Sequence, residues 1–310
     1  KGVPVLVLDA GNALFKSRDS GGAPDAKARA ELLLSQMDAQ GTAAMAVGTR
    51  DLVLGVDFLK KATKKAKLKL LSANLVDAQG KPVFPASTVT AVGGVKVGII
   101  GVSPETPGPQ AKGGPAPRGL PVEPAVAAEA RRLRQQEKAD VVVVLAAVPY
   151  DEALRLGERV EGVDFVAQSH EGRGVGIAQR GALATLIPPG ERGRQLAKLE
   201  LTLDGPPGRF VDVSEQVRAK EGLRIIEQNL ARAKERQAAA KDEPSKQALG
   251  QTVASLEARR ASLEKTVAGG ETGTRRTHLL SYIQLGPDVP GDPDVQRLVE
   301  RIEPPGSAAH

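Results

Sequence analysis

The chain has no cysteine and no tryptophan among its 310 residues. Without cysteine it can form neither a disulfide nor a thiolate metal site, and it has no thiol nucleophile. Aromatic residues make up 2% of the sequence, so the core must be built from Val, Leu, Ile and Ala. No run approaches the ~18 consecutive apolar residues of a transmembrane helix, and we therefore expect no membrane span.

The sequence also lacks an initiator methionine and opens on the strand-like run Val3–Leu8. We therefore expect a mature or trimmed chain from which any targeting peptide has been removed. The lack of cysteine is compatible with a compartment outside the cytoplasm, but it does not assign one.

Basic residues exceed acidic ones, 43 to 37, which gives a net charge of +6. The lysines of the most basic stretch alternate with Ala, Leu and Thr, as they do on the solvent face of a helix. No aromatic residue is interleaved for stacking on bases, so we expect no nucleic-acid partner. This stretch contains Lys60, Lys61, Lys64, Lys65, Lys67 and Lys69.

Short Val/Ile/Leu runs alternate with amphipathic helical patterns over residues 3–203. Such an alternation predicts buried strands and helices in a layered α/β domain. Helices are predicted over Asp25–Gln40, Val56–Lys67 and Pro124–Glu137, and a β-hairpin is predicted to turn at Gly93-Gly94. The predicted strands are Pro4–Asp9, Ala43–Gly48, Leu68–Leu71, Ser87–Ala91, Val95–Gly101, Asp140–Leu145, Asp164–Ala167, Ala182–Ile187 and Leu196–Leu203.

After residue 207 the pattern becomes helical, with apolar residues at three- and four-residue spacing. Pro244 interrupts this pattern, which predicts two antiparallel helices, a coiled-coil hairpin over residues 208–270. Residues 271–310 then contain a strand-like run, His278–Leu285, and a short helix near Pro293–Ile302 that returns to the domain of residues 1–207. The periodic apolar residues are Leu223, Ile226, Leu230 and Ala233 in the first arm and Leu249, Val253, Leu256, Leu263 and Val267 in the second.

Three segments carry more specific motifs. The first segment, Val5–Phe15, contains Leu-Asp-Ala-Gly-Asn. The second, Ala46–Pro107, contains an Ala-Asn-Leu strand end and then Gly-Val-Lys-Val-Gly-Ile-Ile-Gly. The third, Ala139–Gly205, contains Asp-Val-Val-Val-Val-Leu and Gly-Val-Asp-Phe. Together these segments cover about two-thirds of the chain, and in this order they resemble the calcineurin-like metallophosphoesterases of the 5′-nucleotidase branch. The resemblance implies an α/β/β/α sandwich, to which the coiled-coil hairpin is added.

Enzymes of that family use two divalent metals, which activate water and clamp the phosphate oxygens. The resemblance implies that most of the ligand positions have changed. The family's Asp-x-His motif would stand before Lys1. Asn12 takes the place of the bridging Asp, and Thr49 takes the place of a ligand Asn. Arg50 stands at the position of the catalytic His, and Ala147 and Gly172 stand at the positions of two ligand His residues. His170 is retained.

These substitutions favour a catalytically degenerate domain that acts as a structural or protein-interaction module. The partner would be a protein that docks on the hairpin, because residues 214–270 carry mixed charge, 11 basic and 8 acidic. No cofactor is expected for such a module. By resemblance alone, the location would be the periplasm or the cell surface.

Two alternatives remain open. A remodelled phosphoester hydrolase would hold one Mn²⁺ or Zn²⁺ with Asp9, Asp51, His170 and Glu171. An anion-binding module would instead use Arg50, with Asp9 beside it, in the former phosphate pocket. Arg50 would otherwise form a structural ion pair with Asp9, Asp51 or Glu171.

Overall fold

A computed structural model describes residues 2–107, 116–169, 178–190, 193–205, 208–269 and 276–303 of the chain. The chain divides into two compact units, residues 1–197 with 282–310 and residues 198–281. Among the described residues, no helix is both long and apolar enough to cross a membrane.

The first unit contains a three-stranded parallel sheet with the order β1-β2-β3, formed by β1 (Val7–Asp9), β2 (Thr42–Ala46) and β3 (Lys69–Leu71). Helix α1 (Ala26–Ala39) connects β1 to β2, and helix α2 (Val56–Ala62) connects β2 to β3. Parallel neighbours need such crossover connections. The carboxyl ends of the three strands therefore lie at one edge of the sheet, where the loops after β1 and β2 meet.

The other strands of this unit form a larger sheet and one short pair. They are β4 (Leu75–Val76), β5 (Ser87–Val92), β6 (Val95–Val102), β7 (Arg118–Gly119), β8 (Val141–Ala146), β9 (Phe165–Gln168), β10 (Gln179–Arg180) and β11 (Thr185–Ile187). The larger sheet has the order β10-β11-β9-β8-β6-β5, and β4 pairs with β7. The predicted hairpin joins β5 to β6, and its turn residues Gly93 and Gly94 have φ angles of 58° and 87°, the left-handed region that favours glycine.

The two sheets pack face to face, with helices on both outer sides. Strands β2 and β3 contact β6, while α1 covers the smaller sheet and α3 (Val122–Gln135) covers the larger one with α4 (Tyr150–Arg159). The sheets approach closely at Gly101, where a Cβ atom would lie 2.5 Å from the Cβ of Leu71 and 2.4 Å from its carbonyl oxygen. The predicted α/β/β/α sandwich is confirmed.

Two helices differ from the sequence prediction. Helix α2 ends at Ala62 and not at Lys67, and beyond its end the backbone N–H groups of Lys67 and Leu68 donate to Asp38 Oδ1 at 2.7 and 2.9 Å. Helix α4 was not predicted, since few apolar residues mark it. Its start nevertheless had a signal, a proline followed by acidic residues in the first turn at Asp151 and Glu152.

Most of a second three-stranded sheet lies in the unit of residues 198–281. Its strands, in the order β12-β14-β13, are β12 (Gln195–Leu203), β14 (Arg276–Gln284) and β13 (Val211–Asp212). The segment after β13 is fixed to β14: Val213 N–H donates to the His278 carbonyl oxygen at 3.0 Å, and Ser214 Oγ accepts from Leu280 N–H at 3.0 Å. These bonds anchor the start of the next helix.

Two antiparallel helices of 26 residues each extend from this anchor, α5 (Ser214–Ala239) and α6 (Glu243–Ala268). The predicted helical hairpin is therefore present. Asp242 caps α6, because its side chain accepts from Ser245 N–H at 2.8 Å. The apolar seam buries Leu230, Ala233 and Val253 between the arms, and Lys234 Nζ pairs with Glu257 Oε1 at 2.7 Å across them.

Adjacent isoleucines in α5 test whether this seam holds the hairpin together. Ile226 is 5% exposed and Ile225 is 46% exposed. We expect Ile226→Ala to lower the free energy of unfolding by about 2 to 4 kcal/mol, because it leaves a cavity. Ile225→Ala is the matched control and should change it by less than about 1 kcal/mol. Urea unfolding followed by circular dichroism measures both, and equal effects would contradict the packing described for the seam.

Candidate functional site

The loops that follow β1, β2 and β9 meet around the side chain of Asn12. Its Nδ2 donates to Ser169 Oγ at 2.9 Å, and its Oδ1 accepts from the backbone N–H of Arg50 at 3.0 Å. Gly48 lies directly beneath this amide, since a Cβ atom there would be 2.3 Å from Asn12 Oδ1. Asn12 therefore works as a hydrogen-bonded link between three loops.

The backbone of this loop is fixed by close packing. Gly11 has a φ angle of 93°, and a Cβ atom on it would lie 2.6 Å from the carbonyl oxygen of Ala46 and 3.0 Å from the Cβ of Ala147. Asn12 also has a positive φ, 60°, which asparagine tolerates better than most residues. The buried methyl group of Ala147 thus lies beside this turn, at the position where the resemblance implies a ligand histidine.

Asp51 is fully buried, and its carboxylate accepts three backbone hydrogen bonds. Oδ2 accepts from Asn12 N–H at 2.7 Å and from Gly48 N–H at 2.8 Å, and Oδ1 accepts from Leu14 N–H at 3.1 Å. This carboxylate joins the loop after β1 to the turn after β2.

Two carboxyl groups at this edge titrate abnormally. Burial, reinforced by the nearby negative charge of Asp9 and opposed by three N–H donors, raises the pKa of Asp51 to about 7. Burial also raises the pKa of Asp9, which accepts from Gly11 N–H at 2.7 Å. Both carboxyl groups are therefore harder to ionise than exposed ones.

The sequence predicts Arg50 as an ion-pair partner for Asp9, Asp51 or Glu171. Within the described part of the chain, Asp9 and Asp51 instead form their hydrogen bonds with backbone N–H groups. Arg50 stands at the start of the short 3₁₀ helix Asp51–Leu54, directly after Thr49, and is partly buried. His170, Glu171 and Gly172, which belong to the same predicted site, lie outside the described residues.

The described residues do not fit a two-metal centre. Both polar atoms of the Asn12 side chain are engaged by protein groups, Ala147 has no donor atom, and the Asp51 carboxylate is buried among N–H donors. No group of three His, Cys, Asp or Glu side chains in the described ranges is arranged to hold a metal ion.

A second polar cluster, in which Asn74 makes hydrogen bonds between loops, supports the same edge. Asn74 is fully buried, and its Nδ2 donates to the carbonyl oxygens of Ser103 and Leu120 at 2.7 and 3.0 Å. Its Oδ1 accepts from Ser103 N–H at 2.9 Å, and the Ser72 and Ser103 hydroxyls share a hydrogen bond of 2.8 Å. The Ala-Asn-Leu motif was its one sequence signal.

The titration of Asp51 should make stability depend on pH. A carboxyl group whose pKa rises on folding stabilises the protein below the unfolded pKa, 3.8, and this contribution is lost as the pH rises towards about 7. We expect wild type to lose roughly 2 to 4 kcal/mol more than Asp51→Asn between these limits. Urea unfolding at a series of pH values measures this difference.

The comparison of the two proteins removes the titrating groups that do not interact with Asp51, so the difference reports Asp51 together with its coupled neighbour Asp9. His278 is buried, its pKa is lowered by burial, and it changes stability in the opposite sense, but it is present in both proteins. Asp57→Asn, at an exposed position on α2, is the control and should retain the wild-type slope. Parallel curves for wild type and Asp51→Asn would rule out a raised pKa for Asp51.

The fold was compared with known proteins. The sequence matches no protein-family model and no curated protein. Among solved structures, it is similar to a 5′-nucleotidase precursor from Thermus thermophilus, with 24% identity and a TM-score of 0.53 over 66% of this chain and 43% of that one. It is also similar to the sulfate thiohydrolase SoxB from the same organism, with 22% identity and a TM-score of 0.55 over 63% of this chain and 35% of that one.

A third similar structure is the calcineurin-like phosphoesterase YfkN from Bacillus subtilis, with 17% identity and a TM-score of 0.51 over 66% of this chain and 73% of that one. The chain spans less than half the length of the first two structures. At these identities the similarity concerns the fold. The chain has the calcineurin-like metallophosphoesterase fold that the 5′-nucleotidases share.

Proposed function

We propose that this chain is a metallophosphoesterase-fold domain that has lost two-metal hydrolysis and serves as a structural or protein-interaction module. The observation that carries the proposal is the position of Asn12. Where the family has a bridging carboxylate, the chain has a neutral amide that is bonded to Ser169 Oγ and to the Arg50 N–H. An amide held in this way links loops and offers no bridging anion to a pair of cations.

The surroundings of Asn12 support the same proposal. Asp51, the nearest buried carboxyl, holds the backbone of Asn12, Leu14 and Gly48. Ala147 packs against the Gly11 turn. Each of these groups has a structural task at the edge where the family's enzymes carry out chemistry.

The hairpin of α5 and α6 is the proposed interaction element. With about 1.5 Å of rise per residue, each 26-residue arm is roughly 39 Å long. Because the buried seam uses the apolar residues of both arms, most of the outward side chains are polar or charged. We therefore propose a protein partner that recognises a charged helical surface, and not one that fills an apolar groove.

We further propose that the protein works outside the cytoplasm, in the periplasm or at the cell surface. The proposal is supported by the family resemblance and by one structural neighbour, which is described as a precursor. The absence of cysteine is compatible with either place.

The two alternative functions stay predictions. A remodelled one-metal hydrolase would need Asp9, Asp51, His170 and Glu171 together, and the last two lie outside the described residues. Within the described part, the Asp51 carboxylate is directed at backbone N–H groups. An anion site at Arg50 would use a partly buried guanidinium next to the Asn12 link.

The loss of hydrolysis is tested with purified protein, Mn²⁺ and a generic phosphoester, with the Thermus thermophilus 5′-nucleotidase as the positive control. We expect no metal-dependent turnover and no stoichiometric Mn²⁺ or Zn²⁺, because the donor set around Asn12 is engaged. Turnover that requires Mn²⁺ and disappears in Asp9→Asn or His170→Ala would sink the proposal in favour of the remodelled hydrolase.

Thermal unfolding with and without phosphate distinguishes an anion-binding module that uses Arg50 from the proposed structural or protein-interaction module. A module without an anion site gives the same Tm in both conditions. A phosphate-dependent rise that is abolished in Arg50→Ala and partly kept in Arg50→Lys would instead establish the anion-binding function.

The role of the hairpin is tested by site-specific cross-linking, which the cysteine-free sequence makes simple. A single cysteine replaces Val217 or Ile225, both exposed on α5, and is coupled to a photo-reactive group. Lys81, exposed in the first unit, is the control position. We expect the same partner protein to be captured from both hairpin positions in the source cells and not from position 81. Capture from position 81 alone would place the interaction elsewhere.

A further inference from the structure

The net charge of the chain is concentrated in one short stretch. Residues 60–69 contain six lysines and no acidic residue, so the rest of the chain has 37 basic and 37 acidic residues and is balanced. We call these six lysines the lysine patch. Its members are Lys60, Lys61, Lys64, Lys65, Lys67 and Lys69.

The structure places all six side chains of the lysine patch at the surface. Two lie in the last turn of α2, three in the turn that follows its end at Ala62, and one on β3, and all are exposed. The early end of α2 is the reason for this arrangement, because it turns the basic sequence into a bend at the protein surface.

Two acidic residues lie beside the lysine patch, Asp57 one turn before Lys60 and Lys61 on α2 and Asp38 next to Lys67, so most of its six positive charges are unbalanced. No acidic residue occurs between Asp57 and Asp77. The Asp38 carboxylate approaches the patch, but it accepts from the backbone N–H groups of Lys67 and Leu68. Among the described residues, no ion pair within 4.0 Å involves these six lysines. Lys60 Nζ lies 5.9 Å from the centre of the Phe84 ring, a weak cation–π contact.

We propose that the lysine patch is a docking surface for an anionic lipid bilayer. Six like charges within ten residues repel one another, and a surface of negatively charged headgroups attracts these charges and reduces their mutual repulsion. Lysine suits such a surface, because its charge is a compact ammonium on a flexible stem and needs no fixed geometry. The attraction is independent of the proposed function, since no patch residue belongs to the site around Asn12.

A nucleic acid is the less favoured polyanion. Recognition of single strands uses aromatic rings on which bases stack, and recognition of phosphates commonly uses arginine. The lysine patch contains neither residue type, and the ring of Phe84 beside it is buried. The patch thus provides positive charge without a shaped binding pocket, which is sufficient for electrostatic attraction to a membrane surface.

The test is sedimentation of the protein with vesicles at low and at physiological salt. We expect binding to vesicles that contain phosphatidylglycerol, no binding to vesicles of phosphatidylcholine alone, and release as salt is raised. In the variant with Lys61, Lys64, Lys65 and Lys67 changed to Gln, the vesicle partition coefficient should fall by about tenfold or more.

The control variant removes the same charge from scattered exposed positions. It changes Lys16, Lys81, Lys220 and Lys241 to Gln and should keep most of the wild-type binding. Circular dichroism confirms that both variants are folded. Equal losses in the two variants would mean that only net charge matters, which overturns the proposal. Absence of wild-type binding to anionic vesicles overturns it too, as does tight binding to a DNA oligonucleotide without binding to vesicles.

Discussion

The carboxylate of Asp51 holds together the edge at which the loops of the smaller sheet meet. It is buried, accepts three backbone N–H groups, and thereby fixes the positions of Asn12, Leu14 and Gly48. Asn12 then reaches Ser169 and the Arg50 backbone from the position that Asp51 gives it. A buried polar group must be satisfied by partners, so this loop arrangement and this carboxylate depend on each other.

The sandwich beneath this edge tolerates little change for a different reason, which is close packing. The sheets come so near at Gly101 that the main chain of Leu71 leaves no room for a side chain, and Gly11 is confined in the same way by Ala46 and Ala147. Asn74 then ties the loops of neighbouring strands with four hydrogen bonds. The chain thus has a closely packed and hydrogen-bonded scaffold at this edge.

The helical hairpin and the lysine patch differ in how the charges on their surfaces are balanced. In the helical hairpin the apolar residues of α5 and α6 bury one another, and charges of both signs cover the outside. In the lysine patch a single sign of charge meets the solvent, and the stretch of residues 60–69 contains no acidic residue. The hairpin therefore presents a surface of mixed charge, whereas the patch presents positive charge alone.

Four features could be predicted from the sequence alone, because local periodicity and composition encode them. They are the layered α/β class, the Gly93-Gly94 hairpin, the two helices after residue 207 and the clustering of positive charge. The sequence alone did not reveal that α2 ends at Ala62, or that Asp38 accepts from the backbone N–H of Lys67, 29 residues away. Nor did it show that Asp51 faces the backbone of Asn12, 39 residues away, or that Asn12 bonds to Ser169, 157 residues away. Such contacts are decided by tertiary structure, because sheet order and strand register bring together side chains whose spacing in the sequence carries no periodic signal.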